Sequence, residues 1–215
     1  MKLFQIPDPV GGLLFDIDMT LYDSRAYIAS QRSTLIERLA LELGKPVAET
    51  DALVDTHMRD YAAGHGGRLP SLGNTFLAMG IPIQRSVEWR EQLFRPEEYL
   101  SEDENLRDSL KQLSERYPMA AVTNNPSSIG RRTLRALGVE DLFALVIGLD
   151  TSGVSKPGER PFQMARECLS LPFGELISIG DRFEVDLEVP LKLGMGAILI
   201  EAMEDVYRLP EILLQ

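Results

Sequence analysis

Two acids, Asp16 and Asp18, stand two residues apart in "LLFDIDMTLYDS", where the apolar run would otherwise read as a buried strand. Carboxylates at the edge of a hydrophobic core cost on the order of several kcal/mol each unless they are paired, hydrogen-bonded or bound to a cation. Further along, "VTNNP" supplies Thr123 and Asn124, "SKP" supplies Lys156, and "GDRFEVD" supplies Asp181 and Asp186. Asp16, Asp18, Asp181 and Asp186 make an oxygen-rich, anionic set that suits a hard cation, Mg²⁺ above all. The hydroxyl of Thr123, the amide of Asn124 and the ammonium of Lys156 suit the oxygens of a phosphoryl group. In such a site one carboxylate can act as nucleophile, while a second protonates the leaving alkoxide and later activates water. Crowding the two raises the pKa of one of them. Each motif alone has an ordinary explanation, since Asp, Thr and Asn favour turns and helix starts and most lysines are solvated. Their order carries the argument, because each follows its own strand.

The elements that must position these groups are legible from Asp103 onward. "ENLRDSLKQLSERY" repeats apolar residues at Leu106, Leu110, Leu113 and Tyr117, one face of a helix. "PMAAVTNN", "LFALVIGLD", "ELISIGD" and "GAILIEA" read as short buried strands, separated by helical patterns in "PSSIGRRTLRALG", "PGERPFQMARECLSL" and "EVDLEVPLKLG", the last with Pro190 inside it. Strands alternating with helices predict an α/β fold with a doubly wound parallel sheet, whose ligand sits outside the carboxyl ends of the strands. Residues 23 to 104 show no convincing strand. Ile28, Leu35, Ile36, Leu39 and Leu43 line one helical face there, and Trp89 reads as packing. Since "LLFDID" needs partners, residues 1–22 and 105–215 are expected to form one α/β core, with 23–104 inserted as a helical cap.

The series "FDIDMT", "VTNN", "SKP" and "GDRFEVD" resembles the haloacid dehalogenase superfamily of hydrolases, with all four family motifs present. The resemblance implies that Asp16 is a nucleophile that becomes an aspartyl phosphate and Asp18 the general acid and base. It further implies that Thr123 and Asn124 bind phosphoryl oxygens, that Lys156 bridges nucleophile and phosphate, and that Asp181 and Asp186 hold Mg²⁺. An intact Asp18 points within the family to phosphate esters, hence a Mg²⁺-dependent phosphatase, with a phosphomutase as the alternative. Met19 departs from the pattern, standing where the family usually has Gly or Asn. In another class, a phospho-accepting receiver domain also clusters Asp, Thr and Lys on a doubly wound sheet, but its acceptor follows the third strand. The substrate is expected to be a small phosphorylated metabolite, a nucleoside monophosphate or a phosphoglycolate-like ester. In "MRDYAAGHGGRLP", three glycines within four residues break a helix, and Tyr61, His65 and Arg68 are the candidates to meet the leaving group.

Composition bounds the remaining classes. A formal charge of −11 disfavours nucleic acid and anionic membrane as partners. No run reaches the ~18 apolar residues of a membrane span, and Pro7, Asp8 and Pro9 interrupt any signal core, so a cytoplasmic protein is expected. The single cysteine, Cys168, allows no internal disulfide and reads as a reduced core thiol. The sequence sets no oligomeric state.

Overall fold

The structure is a computed structural model that describes residues 1–214. Six strands, β1 (Lys2–Phe4), β2 (Gly12–Phe15), β3 (Met119–Val122), β4 (Leu145–Ile147), β5 (Leu176–Gly180) and β6 (Gly196–Leu199), form one sheet in the order β1-β6-β5-β2-β3-β4. From β6 to β4 every pairing is parallel. The chain leaves β2 toward β3 and β4, then returns to β5 on its other side, so strand order reverses at β2. That is where ligands bind in such sheets. Every residue of β2 and β3 reads as apolar and buried apart from the glycine's lack of side chain, as expected for a parallel sheet covered on both faces.

Successive residues serve opposite layers. Leu13 and Phe15 pack with Leu106, Leu110 and Leu113 of one covering helix, whereas Leu14 packs with Phe162 and Ala165 of another. The doubly wound parallel sheet expected from the sequence carries one further strand at its edge, β1, which runs antiparallel to β6. Three edge residues are too few to display a period. Cys168 is corrected, being exposed rather than a core thiol. The buried face of its helix is set by Phe162, Ala165 and partly buried Leu169, and position 168 falls off that stripe.

Between β2 and β3 lie α1 (Arg25–Leu43), α2 (Val47–Gly64), α3 (Leu72–Ala78), α4 (Ile83–Leu93) and α5 (Glu104–Ser114), then α6 (Ser127–Ala136) follows β3. Helices α1 to α4 share a cluster of their own: Leu35, Ile36, Leu39, Val54, Phe76 and Trp89. Phe76 and Trp89 meet edge to face, with ring centroids 6.1 Å apart. Ile129 of α6 joins this cluster, so the helical segment is anchored on the sheet-bearing part of the molecule. Leu43, expected on the same face, is the last residue of α1 and is exposed, since the helix ends there.

Candidate active site

Three adjacent strands end on chemistry. Asp16 follows β2, Thr123 follows β3 and Asp181 follows β5. The main-chain N–H of Asp16 donates to Ile179 O at 2.8 Å, which holds the nucleophile candidate one residue past its strand. Lys156, between α7 (Leu149–Ser152) and α8 (Arg160–Leu169), places Nζ 2.7 Å from Asp16 Oδ1 and 2.7 Å from Asp186 Oδ1, all three side chains buried. Asn124 clamps the lysine's main chain from both sides: its Oδ1 accepts from Lys156 N at 2.7 Å, and its Nδ2 donates to Lys156 O at 3.2 Å. With that side chain so engaged, Asn124 has its main-chain N–H and the second hydrogen of Nδ2 left for a phosphoryl oxygen.

Asp186 reaches the site through a wide π turn, Phe183–Leu187, that leads into α9 (Glu188–Lys192). Pro190 has no N–H to give the carbonyl four residues earlier, which is that of Asp186. The hydroxyl of Ser178 on β5 donates to this carbonyl instead, at 2.7 Å. Gly180 lets the residue approach: a Cβ at 180 would stand 2.4 Å from Asp186 Cβ. The carboxylate also accepts from Arg182 N at 3.1 Å.

Asp16, Asp181 and Asp186 each offer a carboxylate oxygen, and these oxygens lie within 4.8 Å of one another. Asp181 Oδ1 is buried without a hydrogen-bond partner, the Arg182 guanidinium standing 3.9 Å off. Burial, then the charges of Asp16 and Asp186, push the Asp181 carboxyl up to about 7. Burial likewise raises Asp186, against the pull of Lys156. Burial would lower Lys156, but Asp16 and Asp186 outweigh it and hold the ammonium above its ordinary range. Three crowded carboxylates against one ammonium, with one oxygen of Asp181 buried and unpartnered, fit a hard divalent cation.

The fourth expected ligand stands apart. The Asp18 carboxylate is outside that cluster and turned toward the helical segment. Its Oδ1 accepts from the Tyr22 hydroxyl and, at 3.2 Å, from Gln31 Nε2 of α1; its Oδ2 accepts from Asn125 Nδ2 at 3.0 Å and faces Thr123 Oγ1 at 3.5 Å. Burial first, then the charge of Asp16, raises its pKa, while the bonds from Tyr22 and Gln31 oppose the rise. The turn that aims it is tight. Thr20 N and Leu21 N both donate to Ile17 O, and Met19 adopts φ +63°, the left-handed conformation that the family's usual Gly or Asn accommodates. Asn125 and Gln31 were not singled out by sequence. The first had a signal, as the second asparagine of "TNN"; the second is one polar residue among many on α1.

A cavity of about 440 Å³ opens between these strand ends and the helices, reaching Asp18, Asn124 and Asp181 on one side and Ile28, Leu35, Met58 and Phe94 on the other. Tyr61 and His65 stack with ring centroids 3.7 Å apart and line a second, neighbouring hollow that also touches Asn124 and Lys156. Arg68 lines the same hollow, and its guanidinium lies 2.9 Å from Glu188, joining the helical segment to α9.

The profile of haloacid dehalogenase-like hydrolases matches residues 13–200, which takes in all four motifs. The chain belongs to that family. Among this family's curated members, the 5-amino-6-(5-phospho-D-ribitylamino)uracil phosphatase YigB of Escherichia coli is 25% identical, over 93% of this chain and 87% of its own length. The phosphoglycolate phosphatase of Yersinia pestis is 26% identical, over 80% of this chain and 73% of its own. A HAD phosphatase from Thermococcus onnurineus superposes with a TM-score of 0.67 at 22% identity, covering 95% of this chain and 98% of that one, which speaks to the fold. Family membership sets aside the receiver-domain alternative. This haloacid dehalogenase-like hydrolase is a phosphatase, a hydrolase of phosphate monoesters.

Proposed function

We propose that the enzyme is Mg²⁺-dependent and hydrolyses a small phosphorylated metabolite through an aspartyl phosphate on Asp16, with residues 23–104 acting as its cap. One observation carries this reading: two carboxylates two residues apart are held in different states, Asp16 against the ammonium of Lys156 and Asp18 in a buried cradle that raises its pKa. An Asp16 oxygen attacks phosphorus, the ester P–O bond breaks, and its electron pair leaves with the alkoxide oxygen, which takes the proton of Asp18. Asp18 then removes a proton from water. The resulting hydroxide attacks phosphorus, inorganic phosphate leaves, and the Asp16 carboxylate is restored. Lys156, Thr123 Oγ1 and the main-chain N–H of Asn124 receive the phosphoryl oxygens. Mg²⁺ held by Asp16, Asp181 and Asp186 would reduce the repulsion between nucleophile and phosphoryl group.

Of the two substrates expected from the sequence, a nucleoside monophosphate and a phosphoglycolate-like ester, the second has support from the phosphoglycolate phosphatase among the relatives, while the YigB relative acts on a different ester, a phospho-ribitylamino-uracil. Tyr61, His65 and Arg68 line one hollow beside Asn124 and Lys156, which supports them as the residues that meet such a group; Arg68 also pairs with Glu188. A generic aryl phosphate tests the reading. Turnover is expected with Mg²⁺, loss with excess EDTA and recovery when Mg²⁺ is restored; undiminished turnover in EDTA contradicts the metal assignment.

A further inference from the structure

Three arginines line the cavity between strand ends and helices. Arg32 pairs with Asp51 at 2.6 Å and Asp55 at 2.7 Å, and Arg182 has Asp181 at 3.9 Å. Arg90, on α4, is different. It is 5% exposed, and its Nη1 donates to the carbonyl of Ser86 at 3.2 Å and to the Ser86 hydroxyl. Among the described residues no carboxylate lies within 4.0 Å of it. Its Nη2 passes close to Gly73, where a Cβ would stand 3.7 Å from it and equally near Leu149 Cδ2 and Ser155 Oγ. Burial lowers its pKa to about 10, with the charge of Asp18 opposing, so the guanidinium stays charged at neutral pH. Asp18 does not neutralise it. That carboxylate is beyond ion-pair distance and already engaged by Tyr22, Gln31 and Asn125.

A buried charge without a counter-ion is costly, and the cavity is where one can enter. We propose that Arg90 binds a carboxylate carried by the leaving group, so that the substrate is a phosphate monoester with a carboxylate at its far end. A single guanidinium, with Nε and Nη2 uncommitted, matches one carboxylate in charge and in planar geometry. Gln31, Leu35, Met58 and Phe94 line the space between, where the carbon frame lies. The inference rests on the phosphatase reading, since it takes the phosphoryl group to sit at Asp16.

The test measures binding without turnover. The Asp16→Asn variant is titrated calorimetrically, in Mg²⁺, with 2-phosphoglycolate, with neutral 2-hydroxyethyl phosphate and with ethane-1,2-diyl bisphosphate. The carboxylate ester is expected to bind at least about tenfold more tightly than the neutral one, the scale of one charge-assisted contact. Adding Arg90→Gln should erase that ratio, and Arg90→Lys should keep part of it. Equal binding of the first two, a preference for the bisphosphate, or a ratio that survives Arg90→Gln overturns the proposal. So does a uniform loss on all three, which would put Arg90 on the transferred phosphate. If no ester binds, wild-type turnover of an aryl phosphate decides what has failed: with turnover the Arg90 assignment alone falls, and without it the phosphatase reading falls too.

Discussion

Asp16 and Asp18 carry the same functional group, and their partners make them different. Asp16 meets an ammonium at 2.7 Å; Asp18 meets a phenol, two amides and the edge of a threonine hydroxyl. The residue between Asp18 and Thr20 bears the strain of this arrangement. A non-glycine side chain in the left-handed region costs roughly 1–2 kcal/mol, and Met19 sits there at φ +63°. Met19→Gly should therefore stabilise the fold by about 1 kcal/mol, a rise of ~2–4 °C in Tm for a chain of this size. Thermal melting checks this, and a fall in Tm would show that the Met19 side chain contributes more by packing than its backbone costs. The two acids were legible in sequence because carboxylates are conspicuous in an apolar run. Arg90 was not, because an arginine on an amphipathic helix is ordinary until the packing of α3 and α4 buries it.

At the scale of elements, the junction of β5 with the π turn shows how a strand end is shaped into a ligand site. Gly180 clears space for Asp186, Pro190 frees the carbonyl of Asp186, and Ser178 secures that carbonyl. Gly180→Ala would force a Cβ to within 2.4 Å of Asp186 Cβ and move the carboxylate away from Lys156 and Asp16. We expect the Mg²⁺ concentration for half-maximal activity to rise about 10–100-fold, the usual effect of disturbing the support of a metal ligand. An unchanged Mg²⁺ titration would show that the strand end yields without moving Asp186. The parallel strands and the helices between them were readable because each carries several apolar residues with a clear period. The edge strand β1 was not, and the π turn read simply as helix, since a single widened turn keeps a helical pattern.

At the scale of the molecule, the helical segment and the α/β part meet across the cavity and are joined by Ile129 within the α1–α4 cluster, by Arg68 with Glu188, and by Gln31 with Asp18. Gln31 is the contact with a chemical consequence, since it lets a helix on one side of the cavity touch Asp18, the acid proposed to carry the proton, on the other. No helix among the described residues is long and apolar enough to cross a membrane. Sequence order predicted that the four motifs would converge, because each follows a strand whose neighbours in the sheet can be inferred. It did not predict the division of labour inside the acidic set, which depends on where the turn at Met19 aims Asp18. That division is the central claim, and trapping the covalent intermediate tests it most directly. With a reactive aryl phosphate, rapid quench and mass spectrometry should find phosphate accumulating on Asp16 in the Asp18→Asn variant, which keeps the nucleophile but lacks the base that activates water. No phosphoenzyme should form in Asp16→Asn; a phosphoenzyme in that variant, or phosphate on any other residue, would contradict the account.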